Sequence, residues 1–166
     1  MSLPRPFQIA ASILAGDLLN LGEAIALCER AGADVVSLDI CDGHFVPTIS
    51  FGEEVVRRTC QATKLPVEVH LMVSRPDDWV VRMAGMGQFR MLFHIEASSR
   101  AMGVVQAISK QGIKPGVAMN PETPAVAMAP LLPYIDNVCV SWALHQVSPA
   151  SRFWTIHLEK SQTCAK

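Results

Sequence analysis

Residues 34–44 read DVVSLDICDGH and residues 66–72 read PVEVHLM. Both are short, largely apolar runs, too short for a helix of ordinary length. That pattern fits strands covered on both faces, as in a parallel sheet. Each run carries a chemistry-bearing polar residue between apolar neighbours: Asp39 between Leu38 and Ile40, and His70 between Val69 and Leu71. A carboxylate or imidazole in such a place is costly unless it is hydrogen-bonded, paired or bound to a metal. Asp39 therefore either ties down a neighbouring loop or serves a site. His70 is either a hydrogen-bonded core histidine or a ligand.

Working outward, similar runs occur at 7–14, 90–96, 114–119 and 136–140. Amphipathic stretches separate them. Asp17 is a candidate cap for a helix with Leu18, Leu21, Ile25 and Cys28 on its apolar face, and Gly32 stands just past its end. Ser74 precedes Arg75, Pro76, Asp77 and Asp78, where proline and carboxylates suit a first turn. Thr123 and Pro124 suggest the same kind of start before 125–132, and Ser99 a helix ending near Gly112. Strand starts recur about every 22 to 32 residues, the size of one β-plus-α unit. This predicts an α/β fold with a parallel sheet, and does not separate a closed barrel from an open one. No GxGxxG or Walker-type loop points to a nucleotide. The cadence stops after Val140, so residues 1–140 are expected to form the α/β domain and 141–166 a divergent tail.

Composition narrows the function classes. Half of the 166 residues are apolar and 17% are charged, the formal net charge is −1, and no basic run stands out. Nucleic acid and anionic membranes are poor partners for such a surface. Five cysteines (Cys28, Cys41, Cys60, Cys139 and Cys164) are odd in number and never spaced as CxxC. They fit a reducing compartment rather than a disulfide framework or a structural zinc site. The N-terminal residues lack a long apolar segment behind a basic head, and no apolar run reaches the ~20 residues of a membrane span. The expected location is the cytoplasm.

Chemistry-bearing residues gather at the C-terminal ends of the expected strands, where α/β folds place their sites. Ser12 ends the first run and could hydrogen-bond a substrate oxygen or cap a turn. Asp39, Cys41, Asp42 and His44 end the second, His70 and Met72 the third, His94 and Glu96 the fourth, and Asn120 the fifth. Asp39 and His70 on neighbouring strands could share one divalent metal through carboxylate oxygen and imidazole nitrogen. Cys41 and Met72 read as packing residues, His44 as a solvated loop residue, and His94 and Glu96 as pocket-mouth or solvated groups.

Taken in order, the stretches IAASIL (9–14), AGADVVSLDICDGHFVPTISFG (31–52), VEVHLMVSRPDDWV (67–80), FHIEAS (93–98) and GIKPGVAMNPETP (112–124) resemble the ribulose-phosphate 3-epimerase family. DGHFVP and HLMVSRP are specific motifs in matching order. The resemblance implies a (β/α)8 TIM barrel, here incomplete at about five to six βα units. It implies inversion of carbon 3 of D-ribulose 5-phosphate to give D-xylulose 5-phosphate in the pentose phosphate pathway. It also implies one divalent ion (Zn, Fe, Mn or Co), a phosphorylated ketopentose as substrate, and association into a homo-oligomer or with full-length subunits. Asp39 matches the first acid/base and a metal ligand, His70 a ligand that also touches substrate, Ser12 the substrate-binding serine, and Met72 a methionine beside the reacting carbons.

The departures from the family pattern are specific. Ser37 stands where the family carries a metal-binding histidine, and Cys41 where it has another methionine. The glycine-rich phosphate loop, the later Asp-Gly-Gly segment with the second acid/base and fourth ligand, and the last phosphate-binding turn do not follow Val140. Metal binding is therefore expected to be weakened and full activity doubtful. The interrupted barrel is expected to need a partner for stability. An inactive paralogue that associates with full-length epimerase, and an allulose-6-phosphate epimerase, are the alternative readings.

Overall fold

The structure, a computed structural model, describes residues 8–141. Six strands lie in sequential order, and every neighbouring pair is parallel. They are β1 (Ala10–Ser12), β2 (Val35–Cys41), β3 (Val67–Met72), β4 (Phe89–His94), β5 (Lys114–Met119) and β6 (Asn137–Val140). Helices α1 (Leu21–Arg30), α2 (Glu53–Ala62), α3 (Pro76–Arg82) and α4 (Ala101–Lys110) fill the first connections. Two short 3-10 turns, Ala125–Met128 and Leu132–Tyr134, join β5 to β6 in place of the helix expected over 125–132.

Because side chains alternate along a strand, the sheet has two distinct faces. Leu38, Ile40, Val69, Leu71, Met91, Phe93 and Val117 form one core cluster with Ile25, Val56, Val80, Val104 and Ile108 from the helices. The alternate residues include Ser37, Asp39, Glu68, His70, His94 and Asn137, all polar and all buried. Strands β2 and β3 are thus buried on both sides: one face meets helices, while the other carries a buried polar lining.

That lining also shows how far the sheet bends. Asn137 Nδ2 on β6 donates to Glu68 Oε2 on β3 at 3.2 Å, with β4 and β5 lying between. Three strand spacings in a flat sheet would separate these backbones by about 14 Å. The sheet therefore curls with its polar face inward, and the fold is an incomplete (β/α)n barrel of the TIM type. Among the described residues β1 pairs only with β2, and β6 only with β5.

Several expected helix caps hold other positions. Asp17 does not open α1; it accepts from the Leu19 N–H (3.0 Å) and Asn20 Nδ2 (2.7 Å), the helix begins at Leu21, and Leu18 is left 52% exposed. Ser74 is bonded to Asp42 rather than capping α3, although Pro76 does occupy the first turn. Arg100, not Ser99, precedes α4. Gly32 and Gly112 follow the ends of α1 and α4 with φ of +78° and +73°, backbone that disfavours a side chain. The tail assigned to 141–166 lies outside the described residues apart from Ser141.

Candidate functional site

The strand register sets the site. Pairing of Ser12 with Ser37 and of Asp39 with His70 brings the C-terminal ends of β1, β2 and β3 together. Ser12 Oγ donates to Asp39 Oδ2 at 2.5 Å, and Asp39 Oδ1 stands 3.0 Å from His70 Nδ1. Asp39 is 2% and His70 3% exposed, so the cost of hiding both is offset by this mutual contact.

The chain of contacts continues across the sheet. His70 Nε2 meets His94 Nε2 at 3.0 Å, with ring centroids 5.0 Å apart and planes 26° apart. His94 Nδ1 lies 3.3 Å from Glu96 Oε2. Glu96 Oε1 accepts the Asn120 N–H at 2.8 Å and the Thr123 hydroxyl. Ser12, Asp39, His70, His94 and Glu96 thus form one line from β1 to the turn after β4, where Glu96 reaches Asn120 and Thr123 beyond β5. Burial pushes His94 down to about 4, against the opposing pull of Glu96. Burial tends to raise Glu96, but hydrogen bonds from His94, Thr123 and Asn120 outweigh it and hold the carboxyl at about 2.

The loop after β2 is pinned by Asp42. Its Oδ1 accepts the His44 and Phe45 N–H groups at 2.9 Å each, and its Oδ2 accepts the Ser74 N–H (2.8 Å) and hydroxyl (2.7 Å) beyond β3. Burial works against ionisation here, yet the donors on Ser74, Phe45 and His44 keep Asp42 at about 2. Ser50 returns to β2, donating to the Asp39 carbonyl at 2.5 Å and accepting the Cys41 N–H at 2.9 Å. This loop carries Phe45 and Val46 over the strand ends: Val46 packs with Cys41 and Met72, and Phe45 lies 5.0 Å from the His94 ring. Met72 is therefore part of an apolar wall beside the polar line. Burial raises the Cys41 thiol to about 11, which makes it a packing group rather than a thiolate.

Sequence reasoning named Ser12, Asp39, His70 and Met72, and all four lie at the same ends of β1, β2 and β3. His44 sits in the turn with its Nδ1 on the Asp42 carbonyl. The locking roles of Asp42 and Ser50 escaped it, because nothing in the spacing of DGHFVPTIS reveals that the loop doubles back. A short antiparallel bridge between Asp42 and Ile49 accomplishes that return. Asn120 Oδ1 and Ser141 Oγ, beyond β5 and β6, are buried without a hydrogen-bond partner.

Asp39 and His70 are donors of the kinds a divalent ion takes, carboxylate oxygen and imidazole nitrogen. Ligand atoms about 2.0–2.2 Å from a tetrahedral zinc-like ion stand about 3.3–3.6 Å apart, somewhat more than the 3.0 Å between Asp39 Oδ1 and His70 Nδ1. The number of donors is smaller than usual. No group of three His, Cys, Asp or Glu side chains is arranged to hold an ion among the described residues, and Ser37 is a poorer donor than imidazole. No described helix is long and apolar enough to cross a membrane.

The family model and the curated relatives agree on one family. The Ribulose-phosphate 3 epimerase family matches residues 8–162. A ribulose-phosphate 3-epimerase of Treponema pallidum is 41% identical over 138 residues, 83% of this chain and 63% of that protein. Those of Rhodobacter capsulatus and Bacillus subtilis are 40% and 37% identical, covering 84% and 79% of this chain but 61% and 60% of theirs. The chain thus spans about three-fifths of the length of these relatives. Six parallel strands curled around a polar lining, with a family match that covers nearly the whole sequence, show that this chain belongs to the ribulose-phosphate 3-epimerase family.

Proposed function

We propose that Asp39 exchanges the proton on carbon 3 of a phosphorylated ketopentose, D-ribulose 5-phosphate, as one half of the epimerisation that gives D-xylulose 5-phosphate. The observation that carries this reading is the contact of Asp39 with both Ser12 and His70 at one end of the strands. A proton next to a ketone is weakly acidic, so its removal needs a placed base and stabilisation of the charge left on oxygen. Three carboxylates stand near these strand ends: Asp39, Asp42 and Glu96. Asp42 accepts four donors and Glu96 is held by Asn120, Thr123 and His94, and both sit at about 2, which makes them poor proton acceptors. Asp39, which faces Ser12 and His70, is the carboxylate whose place in the motif matches the family's acid/base.

Ser12 orients that carboxylate and can turn its hydroxyl to a substrate oxygen. Met72, Cys41, Phe45 and Val46 supply an apolar wall that limits water. A divalent cation held by Asp39 and His70 would supply Lewis-acid polarisation of the substrate's ketone and hydroxyl oxygens. With one acid/base in place, hydrogen exchange on one face of the carbon is expected, and full inversion requires a second group.

A second reading is favoured by the two-donor cation site and the one-sided pairing of β1 and β6 among the described residues: a chain that associates with full-length epimerase subunits, or with itself, and modulates them. The barrel reading of 1–140, the divergent reading of 141–166 and a cytoplasmic location belong to the same proposal. Solvent deuterium entering at carbon 3 tests the first reading. Exchange by the purified chain, lost in Asp39→Asn, supports it; a chain that leaves carbon 3 untouched overturns it.

A further inference from the structure

We infer that Asn120 and Ser141 form a hydroxyl-binding subsite, in which one alcohol group of the sugar chain donates to Asn120 Oδ1 and accepts from Ser141 Oγ. The inference rests on the proposed sugar substrate and adds which side chains grip it away from carbon 3.

Placement comes from the register of β5 and β6. Gly116 pairs with Asn137 and Ala118 with Cys139, and the ladder runs on past the strand ends, where the Ser141 N–H donates to the Met119 carbonyl at 2.9 Å. Asn120 and Ser141 are therefore neighbours. Side chains alternate along each strand, so both share the face of Gly116, Ala118, Asn137 and Cys139. That face is the polar lining: Asn137 on it holds Glu68, and Ala118 pairs with His94. Asn120 and Ser141 thus stand at the same strand ends as Ser12, Asp39, His70 and His94. Ala118 and Cys139, clustered with Leu92, lie between them and Asn137 deeper in the sheet.

Both residues are buried, Asn120 at 4% and Ser141 at 1% exposure, and neither Asn120 Oδ1 nor Ser141 Oγ has a hydrogen-bond partner. Hiding one such group unpaired is costly. Two of them side by side on the site's own lining mark a place that a ligand completes.

The chemistry of the pair selects that ligand. A carboxamide oxygen only accepts, so its partner must bring a hydrogen, whereas a serine hydroxyl both gives and takes. A phosphate, carboxylate or ketone oxygen brings none. Glu96, whose Oε1 accepts the Asn120 N–H, adds a negative charge beside the pair. Arg90, on the same lining, stands with Glu68 toward the opposite strand ends. An anion is therefore disfavoured. An alcohol fits, with its hydrogen on Asn120 Oδ1 and a lone pair taking the Ser141 hydrogen. D-ribulose 5-phosphate offers such groups on carbons 1 and 4, to either side of the ketone and carbon 3.

The test uses the full chain and D-arabinitol 5-phosphate, whose reduced ketone prevents epimerisation, with affinities measured by calorimetry. Asn120→Leu keeps the backbone N–H for Glu96 and removes a buried unpaired acceptor, so a loss of affinity reports on the ligand rather than on unfolding. The expected Kd is about 3–10-fold weaker in Asn120→Leu, and similarly in Ser141→Ala, the worth of one neutral hydrogen bond. Of the 1-deoxy and 4-deoxy analogues, the one lacking the held hydroxyl should bind wild type and Asn120→Leu equally well. Inorganic phosphate should not distinguish the three chains. Equal affinity for D-arabinitol 5-phosphate in all three would overturn the inference and leave only a buried water between the two side chains. So would a wild type that binds none of it, or inorganic phosphate weakened in step with the polyol. Exchange at carbon 3, followed in parallel, keeps the two readings apart. Exchange by a wild type whose affinities ignore both substitutions leaves the proposed function standing; weakened polyol binding without exchange overturns that function alone.

Discussion

Gly116 on β5 is the position where one added methyl should do most damage, and the reason is visible from its neighbours. A Cβ there would stand 2.0 Å from Asn137 Oδ1 and 2.8 Å from Leu92 Cγ. Asn137 is 1% exposed and uses its Nδ2 to hold Glu68, itself 2% exposed, with Arg90 Nε at 3.8 Å as a further partner. Burial pushes the Glu68 carboxyl above its ordinary value, with Arg90, His70 and Asn137 pulling the other way. In Gly116→Ala the Asn137 side chain has to leave, because no small shift clears a 2.0 Å approach. Overpacking of this kind costs about 1–3 kcal/mol. Losing a hydrogen bond to a buried carboxyl adds roughly 1.5–3 kcal/mol. A total of about 2.5–6 kcal/mol is a large part of the ~5–15 kcal/mol by which domains are stable. With a urea dependence of about 2 kcal/mol per molar, the midpoint should fall by roughly 1.3–3 M. Urea unfolding followed by circular dichroism measures it. The decisive comparison is a double-mutant cycle. In an Asn137→Ala background the same Gly116→Ala change should cost under about 1 kcal/mol, because only Leu92 has to give way. A cost that is equal in both backgrounds would refute the reasoning.

Two further outcomes follow from the same lining. Asp42 sits at about 2 against an ordinary 3.8, so its contribution is fully present above that ordinary value and is lost as pH falls through about 2. Allowing for solvent screening it is about 1 kcal/mol; Asp42→Asn should flatten the pH 2–4 stability slope, and an unchanged slope would contradict the loop clamp. Asn120 Oδ1 is buried without a partner, and such an acceptor costs about 1–3 kcal/mol. Asn120→Leu should therefore raise the thermal midpoint by roughly 2–4 °C, whereas a lower midpoint would mean that the amide is stabilising.

The sequence pattern made the strands legible because each is apolar on the face toward the helices. The expected 34–40, 66–72 and 114–119 differ from β2, β3 and β5 by a residue or less at either end. The first strand was expected over 7–14 and is regular only at Ala10–Ser12, since Ile13–Ala15 tightens into a 3-10 turn. Helix starts were less legible. Asp17, Ser74 and Thr123 look alike as caps, but their side chains are taken by Asn20, Asp42 and Glu96, partners that only the folded chain supplies. The same limit applies to the site. Asp39 and His70 were conspicuous as polar residues in apolar strands. The join between His70 and His94 depends on curl and rotamer, which no spacing encodes, and so His94 and Glu96 read as ordinary pocket-mouth groups. The closed eight-unit barrel came from motif resemblance alone; periodicity could not distinguish it from an open sheet.

One measurement bears most directly on Asp39 as the proton-transferring group. The purified chain, supplied with zinc and D-ribulose 5-phosphate in heavy water, is followed by proton NMR for disappearance of the carbon 3 resonance. Wild-type protein should wash that signal out while Asp39→Asn, similar in size and unable to accept the proton, leaves it intact. Exchange that proceeds equally well in Asp39→Asn, or that never occurs in the wild type, would contradict the assignment.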